Sequence, residues 1–500
     1  MCGRDLPRHR GNDGYIVRGG DTLRLSVLAE ELSRKRLIGD AEVISLCADS
    51  RAVGEGDLFF CLAGTHTDGH LFAREAKRRG ASAFVTEHEL PLPVPQLVVS
   101  DSREAMARIA AAFYGHPERR MKIVGITGTN GKTTTAHLLC HILEAAGKRA
   151  GLIGTLGARF QSTVIAPELT TPDPFHLFPL LKDMADAGAE YVVMEVSAHA
   201  LALRKECPIV YEAAVFTNLT RDHLDFFGSM ERYGAAKAML FQKERCRLAI
   251  LNADDAFSGT LKGGGMPVFT YALDSPADCF AVVEEKKLRS SRVVFNLDDE
   301  LVEARLRLIG RHNVYNALAA AAAARKLGAD AEAIAQGISL TREVDGRLEW
   351  VASYRGADIF VDFAHTPDGL EKSVAALKEE CRGRLILLFG CGGNRDEGKR
   401  AEMGEVAASL ADFSVITSDN PRYEDPVAII AEIEKGYREV SNRYVAVEER
   451  EKAIEYALTH LKAGDILLVA GKGGETTQEI MGIKYRYNDK AVIKAALEKL

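Results

Sequence analysis

The feature that most restricts the fold is a glycine-rich segment, Gly125-Ile-Thr-Gly-Thr-Asn-Gly-Lys-Thr133, between strand-like residues 121–126 and helix-like residues 133–146. Short side chains in such a turn let backbone N–H groups converge on phosphate oxygens, and the helix N-terminus adds partial positive charge. A strand, a turn and a helix in this order are typical of parallel α/β sheets. The segment therefore predicts a parallel sheet that carries a phosphate-binding loop.

The loop departs from the strict pattern G-x-x-x-x-G-K-[ST], because Ile126 stands where the first glycine belongs. Glycines instead occupy positions 125, 128 and 131. By analogy with the strict pattern, Lys132 is expected to reach the terminal phosphates of a nucleotide and Thr133 to hold Mg²⁺. A purely structural turn is the alternative interpretation, but the order of strand, glycines and helix favours nucleotide binding.

The chain of 500 residues is too long for one core, since single cores stop growing near roughly 250 to 300 residues. Helix-like and strand-like segments alternate almost throughout, which predicts an α/β protein with parallel sheets. We expect a tail at residues 1–20 and domains at residues 21–118, 119–340 and 341–500. The last of these contains strand-like residues 358–363, 384–389, 413–417 and 465–470, as in a doubly wound sheet.

Composition excludes several classes of protein. A net charge of -7 disfavours a general nucleic-acid or membrane-surface binder, and no apolar run approaches the roughly 18 residues of a membrane span. The first twenty residues carry arginines but no apolar stretch, so the pattern of a secretory signal is absent. Nine cysteines without a C-x-x-C pair fit a reduced environment, and a cytoplasmic location is expected.

Five separate motifs resemble those of the Mur ligases and their folylpolyglutamate synthetase relatives, which activate a carboxylate as an acyl phosphate and couple it to an amine. They are Gly128-Thr-Asn-Gly-Lys-Thr-Thr134, Glu195-Val-Ser-Ala-His199, Asn218-Leu-Thr-Arg-Asp-His-Leu-Asp225, Gly310-Arg-His-Asn-Val-Tyr-Asn316 and Asp362-Phe-Ala-His-Thr-Pro367. The resemblance spans residues 45–490 and keeps the order and spacing of the family. It implies three domains, with a central P-loop parallel-sheet domain and a Rossmann-like C-terminal domain.

The resemblance also implies which residues bind ATP. The set includes the loop itself and positions in the two later motifs and the third domain: Gly128, Thr129, Asn130, Gly131, Lys132, Thr133, Thr134, Asn313, Arg347, Asp362 and His365.

The implied catalytic residues are Lys132, Glu195, His223 and Lys237, and the implied ligands of Mg²⁺ are Thr133, Glu195, His223 and Lys237. Glu195 and His223 follow strand-like segments, where an open α/β sheet presents its ligands. In the family, the lysine at position 237 is carbamylated by CO2, which replaces a cation with an anionic oxygen pair suited to a hard metal ion. On sequence alone, each of these residues could instead be structural or solvated.

Within the family, the resemblance is strongest to the members that add the third residue of the peptidoglycan stem peptide. It implies that UDP-N-acetylmuramoyl-L-Ala-D-Glu binds here, and that an amino acid is joined to its D-Glu γ-carboxylate. The implied contacts to this substrate are Ser50, Thr65, His66, Thr67, Thr170, Thr171, Ser197 and Lys205. Arg204 is an alternative to Lys205, because relatives often place arginine at the end of this segment.

The amino acid is expected to be meso-2,6-diaminopimelate. It carries a second amino-carboxylate end that lysine lacks, and a guanidinium can grip that carboxylate with two hydrogen bonds. Arg422 would serve, since lysine-adding relatives typically have another residue after Asp-Asn-Pro. The implied pocket comprises Arg395, Asp419, Asn420, Pro421, Arg422, Gly471 and Glu475. Gly474 departs from the family, in which many members have histidine there.

Three other functions compete with this hypothesis. The first is the lysine-adding form of the enzyme, and the second is a folylpolyglutamate-type ligase, which the first block disfavours. The third is a catalytically silent, nucleotide-switched binding protein, which need not retain Glu195, Lys237 and His223 together. No obligate protein partner, nucleic acid or membrane insertion is expected.

Overall fold

The computed structural model describes residues 18–64, 67–166, 169–287 and 289–500, and for residues 18–21 it describes the backbone only. Its first part contains β1 Arg18–Arg24, α1 Leu25–Ala29, β2 Lys35–Ile38, β3 Glu42–Cys47, β4 Asp57–Phe60, α2 Ala73–Arg79, β5 Ala83–Thr86, β6 Gln96–Val99 and α3 Ser102–Phe113. The strands form one sheet in the order β1-β3-β4-β5-β6-β2. Strands β3 to β6 are parallel, and β1 and β2 are antiparallel edges.

The middle of the chain forms a larger sheet. Its elements are β7 Lys122–Thr127, α4 Lys132–Ala145, β8 Ala150–Gly154, β9 Gly157–Phe160, β10 Thr163–Ile165, α5 Pro174–Asp186, β11 Tyr191–Glu195, α6 Ala198–Ala202, β12 Ala213–Phe216, α7 Leu224–Phe227, α8 Met230–Ala238, β13 Ala249–Asn252, α9 Ser258–Leu261, β14 Val268–Ala272, β15 Cys279–Lys287, β16 Ser290–Leu297, β17 Glu300–Leu306, α10 Arg311–Lys326 and α11 Ala331–Leu340. The strand order is β10-β9-β8-β11-β7-β12-β13-β14-β15-β16-β17.

The prediction of a parallel sheet is confirmed from β8 to β15, whereas both edges are antiparallel. Strands β9 and β10 form a hairpin extension at one edge, and β15, β16 and β17 form an antiparallel ribbon at the other. Alternating burial along β17 shows why the ribbon differs, since only one of its faces is covered.

The last part of the chain contains β18 Glu349–Tyr354, β19 Ala357–Asp362, α12 Pro367–Lys378, β20 Leu385–Phe389, α13 Gly398–Leu410, β21 Phe413–Ile416, α14 Pro426–Val440, β22 Tyr444–Ala446, α15 Arg450–Thr459, β23 Ile466–Ala470, β24 Thr477–Ile480, β25 Ile483–Arg486 and α16 Asp489–Leu497. Its main sheet has the order β18-β19-β23-β20-β21-β22, parallel except for β18. Strands β24 and β25 form a separate hairpin. The strand-like residues of this block are thus confirmed as a doubly wound sheet.

Helix α4 is central to the packing because α10 and α11 both lie against it. The Ala319–Ala324 run of α10 is fully buried, and alanine side chains let the two helix backbones approach closely. Gly337 of α11 is closer still, since a Cβ there would lie 2.4 Å from the Ile142 Cα of α4. This packing fixes the direction of α4, and so of the loop before it.

Across the ranges that the structure describes, no helix combines the length and the apolar character needed to cross a bilayer. The cysteines in those ranges are all free thiols.

Candidate active site

A cleft of 680 Å³ opens where the carboxyl ends of the central parallel strands face the loops of the third sheet. Glu195 ends β11, Thr217 follows β12 and Asp362 ends β19, so each reaches the cleft from a strand end. Many residues predicted from the sequence line it together: Thr129, Asn130, Gly131, Lys132, Thr133, Thr134, Thr170, Glu195, His223, Asn313, Arg347, Asp362, His365, Arg395, Asp419, Asn420, Arg422, Gly471 and Glu475.

The glycine-rich loop joins β7 to α4 and packs too closely for larger residues. Gly128 has φ +150°, and a Cβ there would lie 1.9 Å from the Thr217 Oγ1. Gly131 has φ +86°, and its Cβ would lie 2.3 Å from the Asn316 Oδ1. Positive φ and these close approaches both require glycine. The variant spacing of glycines therefore matches the contacts that this loop makes.

Lys132 is the first residue of α4 and bends back over the loop. Its Nζ donates to the carbonyl oxygens of Gly128 at 3.0 Å and Thr129 at 2.9 Å. Burial lowers the pKa of its ammonium group, while the nearby Glu195 carboxylate acts in the opposite direction. The Lys132 amine is thus partly desolvated and held by two backbone carbonyls. An anionic ligand would supply the opposite charge that it lacks.

Glu195 lies beside the loop and is almost fully buried. The Thr133 hydroxyl donates to its Oε2 at 3.0 Å, and the Thr155 N–H donates to its Oε1 at 2.8 Å. Arg347, from the third part of the chain, donates to the Thr133 Oγ1 at 2.9 Å. One carboxylate thus connects the loop, β8 and, through Thr133, the third domain.

Lys237 does not line the cleft but lies directly behind the loop, 1% exposed. Its Nζ donates to the Gly128 carbonyl at 2.8 Å and lies 4.4 Å from the centre of the Tyr233 ring. Burial, reinforced by the neighbouring charge of Lys132, holds the pKa of this amine well below its usual value. Lys237, which a helix-like pattern alone would place in solvent and which the resemblance implies is a metal ligand, is therefore buried next to a second amine.

His223 has φ +57° and starts the short helix α7. Burial lowers the pKa of its imidazole to about 3, although Asp222 acts in the opposite direction, so the ring is neutral at ordinary pH. Its Nε2 lies 3.3 Å from the Asp222 Oδ2. A neutral imidazole is the form that can donate a lone pair to a metal ion.

The expected Mg²⁺ ligands fit that role only in part. Oxygen donors suited to a hard cation are present, because Thr133 Oγ1 and Glu195 Oε2 already lie 3.0 Å apart at the cleft. Among the described residues, however, no group of three or more histidine, cysteine or carboxylate side chains is assembled as a ready metal site. Further oxygens would have to come from bound phosphate, water or a modified Lys237.

The predicted nucleotide contacts outside the loop are braced by hydrogen bonds. Asn313 donates to the Ile309 carbonyl at 2.7 Å and accepts from Asn316 at 2.9 Å. Asp362 accepts from the Leu348 N–H at 3.0 Å. His365 Nδ1 lies 2.9 Å from the Phe363 carbonyl oxygen. These bonds fix the side chains at the edge of the cleft.

The third sheet supplies a second polar group of residues at the far wall. Asn420 donates to the Glu475 Oε2 at 2.9 Å and accepts from Lys472 at 3.0 Å. The Asp419 Oδ2 is buried without a hydrogen-bond partner in the described structure, and a Cβ on Gly471 would lie 2.7 Å from it. An orphaned buried carboxylate oxygen of this kind calls for a donor from a ligand.

Two guanidinium groups face this wall. Arg422 has φ +52° and donates through Nη1 to the Gly393 carbonyl at 2.7 Å and through Nε to the Glu479 carboxylate at 3.2 Å. Arg395 forms no hydrogen bond or ion pair within the described residues, and burial and the charge of Arg422 lower its pKa. Pro421 does not line the cleft, because its carbonyl instead packs against Gly393.

Near β11, the predicted dipeptide contacts are linked to Glu195. The Thr171 hydroxyl donates to the Glu195 carbonyl at 2.9 Å and accepts from the Ser197 N–H at 3.0 Å. Thr170 alone of this group reaches the cleft, with its Oγ1 3.1 Å from the Thr155 Oγ1.

The two candidate basic residues after α6 point in different directions. Lys205 pairs with Asp173 at 2.6 Å, next to Thr170 and Thr171. Arg204 instead pairs with Asp101 and Glu104 at the start of α3, both at 3.2 Å. Lys205 is thus the basic residue beside the predicted dipeptide contacts.

Of the predicted contacts in the first domain, the structure describes Ser50 and Thr67. Ser50 is partly buried in the turn after β3, and Thr67 is exposed, with its carbonyl accepting from the Gly64 N–H at 3.0 Å. Neither lines the cleft. Thr65 and His66 lie outside the described residues, as does most of the predicted tail.

Sequence reasoning overlooked several charged residues at the centre of the site, above all Asp222, Asp396 and Lys399. Burial raises the pKa of Asp222, but His365, whose Nε2 lies 3.8 Å from the Asp222 Oδ2, and the Lys399 charge outweigh it, so the carboxyl pKa lies well below its usual range. The sequence could have pointed to these residues, because all three lie in or near glycine-rich or histidine-containing motifs. Only the tertiary structure shows that they face one another.

The chain matches three family models, described as the Mur ligase middle domain at residues 126–324, the Mur ligase glutamate ligase domain at residues 346–473 and the Mur ligase family catalytic domain at residues 42–114. These matches cover most of all three sheets.

Relatives align over nearly the whole chain. A UDP-N-acetylmuramoyl-L-alanyl-D-glutamate--2,6-diaminopimelate ligase of Geobacillus kaustophilus (strain HTA426) is 41% identical over 471 residues, covering 92% of this chain and 96% of the relative. A ligase of the same name from Geobacter metallireducens (strain ATCC 53774 / DSM 7210 / GS-15) is 40% identical over 516 residues, covering 96% and 99%. A solved structure of a ligase of this name is 31% identical with a TM-score of 0.63, covering 91% of this chain and 94% of that one.

Proposed function

The chain belongs to the Mur ligase family, and from that premise we propose that it joins meso-2,6-diaminopimelate to UDP-N-acetylmuramoyl-L-Ala-D-Glu with hydrolysis of ATP, in the synthesis of peptidoglycan precursors. The observation that carries the proposal is one cleft with two different walls. The glycine-rich loop forms one wall and the paired arginines Arg395 and Arg422 form the other. Such a cleft can hold a nucleotide and a dicarboxylic amino acid at the same time.

The chemistry requires two steps, because a carboxylate is a poor electrophile. First, the D-Glu γ-carboxylate attacks the γ-phosphorus of ATP, which forms an acyl phosphate and releases ADP. Then an uncharged amine of diaminopimelate attacks the acyl carbon, its nitrogen loses one proton to water, and inorganic phosphate leaves with the electrons of the C–O bond as the amide forms. Lys132 and the loop N–H groups stabilise the charge on the transferring phosphoryl group.

Mg²⁺ would be held by Thr133, Glu195, His223 and a modified Lys237, and it would neutralise phosphate charge during transfer. The proximity of the Thr133 hydroxyl and the Glu195 carboxylate supports this assignment. Burial lowers the pKa of the Lys237 amine, which favours its uncharged, nucleophilic form. It would add to CO2 to give a carbamate and release one proton, which converts a buried amine into an oxygen ligand.

Diaminopimelate would bind with its distal carboxylate on Arg422 and Arg395 and its distal ammonium near Glu475 and Asp419. Arg395 has no protein partner in the described residues, and the Asp419 Oδ2 has no donor, so both are available to a ligand. A Cβ at Gly474 would lie 3.2 Å from the Asp345 carboxylate, which is a tight contact. A larger residue at this position would therefore require the Asp345 side chain to move.

The UDP-sugar dipeptide would extend from the first domain to Glu195, with Thr170, Thr171, Ser197 and Lys205 near the peptide. The Lys205–Asp173 pair beside these residues supports Lys205 over Arg204. Residues 21–118 would hold the uridine diphosphate end, residues 119–340 the ATP and residues 341–500 the amino acid. The reaction is assigned to the cytoplasm, where free thiols such as those described here persist.

The test is to incubate purified protein with ATP, Mg²⁺ and UDP-N-acetylmuramoyl-L-Ala-D-Glu, with diaminopimelate or L-lysine in separate reactions, and to follow phosphate release and product mass. Phosphate release that requires the dipeptide substrate and is faster with diaminopimelate is expected. Faster turnover with lysine would contradict the assignment of Arg422, and no turnover with either amine would contradict the ligase proposal.

A matched pair of variants tests whether the planar guanidinium of Arg422 is needed, and not only its positive charge. Arg422→Lys keeps the positive charge but removes the planar fork, so we expect kcat/KM for diaminopimelate to fall about tenfold or more. Arg438→Lys makes the same exchange on the exposed face of α14 and should leave the rate unchanged. Equal effects of the two substitutions would contradict a substrate contact at Arg422.

A further inference from the structure

Two loops meet across the boundary between the second and third sheets. The catalytic loop, residues 217–223, follows β12 and carries His223. The amino-acid loop, residues 390–400, follows β20, includes the first turn of α13 and carries Arg395. Each loop carries two charges of opposite sign. They are Arg221 and Asp222 in the catalytic loop and Asp396 and Lys399 in the amino-acid loop.

The first contact is between Arg221 of the catalytic loop and Asp396 of the amino-acid loop. The Arg221 Nε lies 3.2 Å from the Asp396 Oδ2, and its Nη2 donates to Oδ1 at 3.3 Å. This is a two-pronged pair, and Asp396 is only 8% exposed. Glu402 of α13 accepts from the remaining Nη1. The guanidinium is therefore held entirely by the third domain.

In the second contact the charges are exchanged, because the cation belongs to the amino-acid loop and the anion to the catalytic loop. The Lys399 Nζ lies 3.5 Å from the Asp222 Oδ1, and both side chains are buried. The Asp222 Oδ2 also lies 3.3 Å from the His223 Nε2 and 3.8 Å from the His365 Nε2, so Asp222 has partners besides Lys399. Arg221 and Asp222 thus form crossed ion pairs with Asp396 and Lys399, which restricts the relative position of the two loops.

Both loops are anchored at their other ends. The Thr217 hydroxyl donates to the Asn130 carbonyl at 2.6 Å, and the Thr220 N–H donates to the Thr129 Oγ1 at 3.0 Å, which ties the catalytic loop to the glycine-rich loop. Arg400 is 1% exposed and donates to Glu432 at 2.9 Å and to Glu424 at 3.0 Å. The crossed pairs therefore connect two rigid supports.

We propose that the crossed ion pairs are positioning residues, which set the amino-acid loop in register with the phosphate-binding site so that the attacking amine meets the activated carboxylate. Arg395 immediately precedes Asp396. The position of the Arg395 guanidinium, which is proposed to hold the substrate, therefore depends on the Arg221–Asp396 pair. The proposal deepens the function proposed above and rests on it. The crossed pairs would act on the second chemical step, whereas ATP binding depends on the glycine-rich loop.

The experiment is a double-mutant cycle with Arg221→Ala, Asp396→Ala and the double variant. The comparison is the same cycle with Arg438→Ala and Glu434→Ala, an ion pair of α14 that does not line the cleft. Each single substitution at the crossed pairs should lower kcat/KM for diaminopimelate about tenfold or more, and the double variant should lose little beyond either one, because both remove the same contact. The α14 variants should match the wild type. Asp396→Glu should regain more activity than Asp396→Asn.

A second readout separates positioning from general damage. With ATP and the dipeptide substrate but no amine, the crossed-pair variants should still form ADP in a first turnover, with KM for ATP and melting temperature close to wild type. Additive losses, or parallel losses in ADP formation and melting temperature, would contradict the positioning role. If the wild type itself gives no amide product, the proposed function fails instead; if the wild type is active and the variants match it, only this inference fails.

Discussion

At the scale of single residues, the site is organised around two amines, one partly and one fully buried, neither of which has a carboxylate at hydrogen-bond distance among the described residues. Lys132 and Lys237 both donate to the Gly128 carbonyl, at 3.0 Å and 2.8 Å. Like charges so close together are unfavourable in a buried site unless one is neutral or an anion joins them. ATP phosphates and a carbamate on Lys237 would each relieve this repulsion.

The first prediction follows from that arrangement. Lys237→Ala should lower kcat about a hundredfold or more, because it removes an anionic oxygen ligand next to the transferring phosphoryl group. Added short-chain carboxylate such as formate should restore part of the activity, measured by phosphate release. Lys243→Ala, which removes an exposed lysine shortly after α8, should change nothing. Full activity of the Lys237 variant would rule out the carbamate.

Sequence reasoning at this scale could single out residues of a contiguous motif but not a residue that acts through a distant partner. Thr129 to Thr134, predicted to bind ATP, lie together in the cleft, and their role stays a prediction. The pairing of Asp222 with Lys399 joins residues 177 positions apart, and no local pattern reports such a contact. The sequence likewise could not show that Lys205 pairs with Asp173 whereas Arg204 pairs with Asp101, and which of the two contacts the substrate stays a prediction.

At the scale of elements, the loop before α4 offers a test of the glycine argument. Gly131→Ala should reduce ATP affinity about tenfold or more, because its Cβ would meet Asn316 at 2.3 Å and displace the loop. Gly147→Ala is the matched control after the end of the same helix. It has a similar positive φ, +73°, but no atom within 4 Å, so it should cost backbone strain and leave ATP binding intact. Calorimetric titration with ATP distinguishes them, and equal affinities would contradict the account.

Helix α4 also carries a group with a clear dependence on pH. Burial and the positive charges of His141, Arg159 and Arg347 lower the pKa of His137 from 6.5 to about 3. Between these values the unfolded chain binds a proton that the folded chain does not, so stability falls as pH drops below 6.5. From pH 7 to pH 5, the cost is up to about 2 kcal/mol.

His137→Gln should therefore show a smaller fall in melting temperature between pH 7 and pH 5 than the wild type, measured by thermal unfolding. His460→Gln, at an exposed position after α15, should keep the wild-type difference. A His137 variant with an unchanged pH dependence would show that the imidazole is accessible to protons in the folded protein.

The elements themselves were largely predictable, and the exceptions have a physical reason. Strands such as β11 and β23 are buried on both faces, so they appear in the sequence as continuous apolar runs. The antiparallel strands β15 to β17 were not predicted, because Glu284, Glu285, Lys286 and Lys287 dilute the apolar pattern on the uncovered face. Domain boundaries and the roles of individual site residues remain predictions.

At the scale of the whole molecule, the second and third domains are docked by contacts spread around the cleft. Asn130 donates to Asp368 at 2.7 Å on one side. On another, Arg289 from the β15–β16 hairpin lies 4.0 Å from the Trp350 ring and pairs with Asp358 at 2.9 Å. Together with the crossed ion pairs, these contacts hold the two walls of the cleft face to face, as the transfer of an acyl group to an amine requires.

The most direct measurement of the central claim is a competition in a single reaction. The protein, ATP, Mg²⁺ and UDP-N-acetylmuramoyl-L-Ala-D-Glu are mixed with equal concentrations of meso-diaminopimelate and L-lysine, and the products are separated by mass. We expect the diaminopimelate adduct to dominate by about tenfold or more, since lysine leaves Arg395 and Arg422 without a carboxylate. A predominance of the lysine adduct, or the absence of both adducts while ATP binds, would contradict the account.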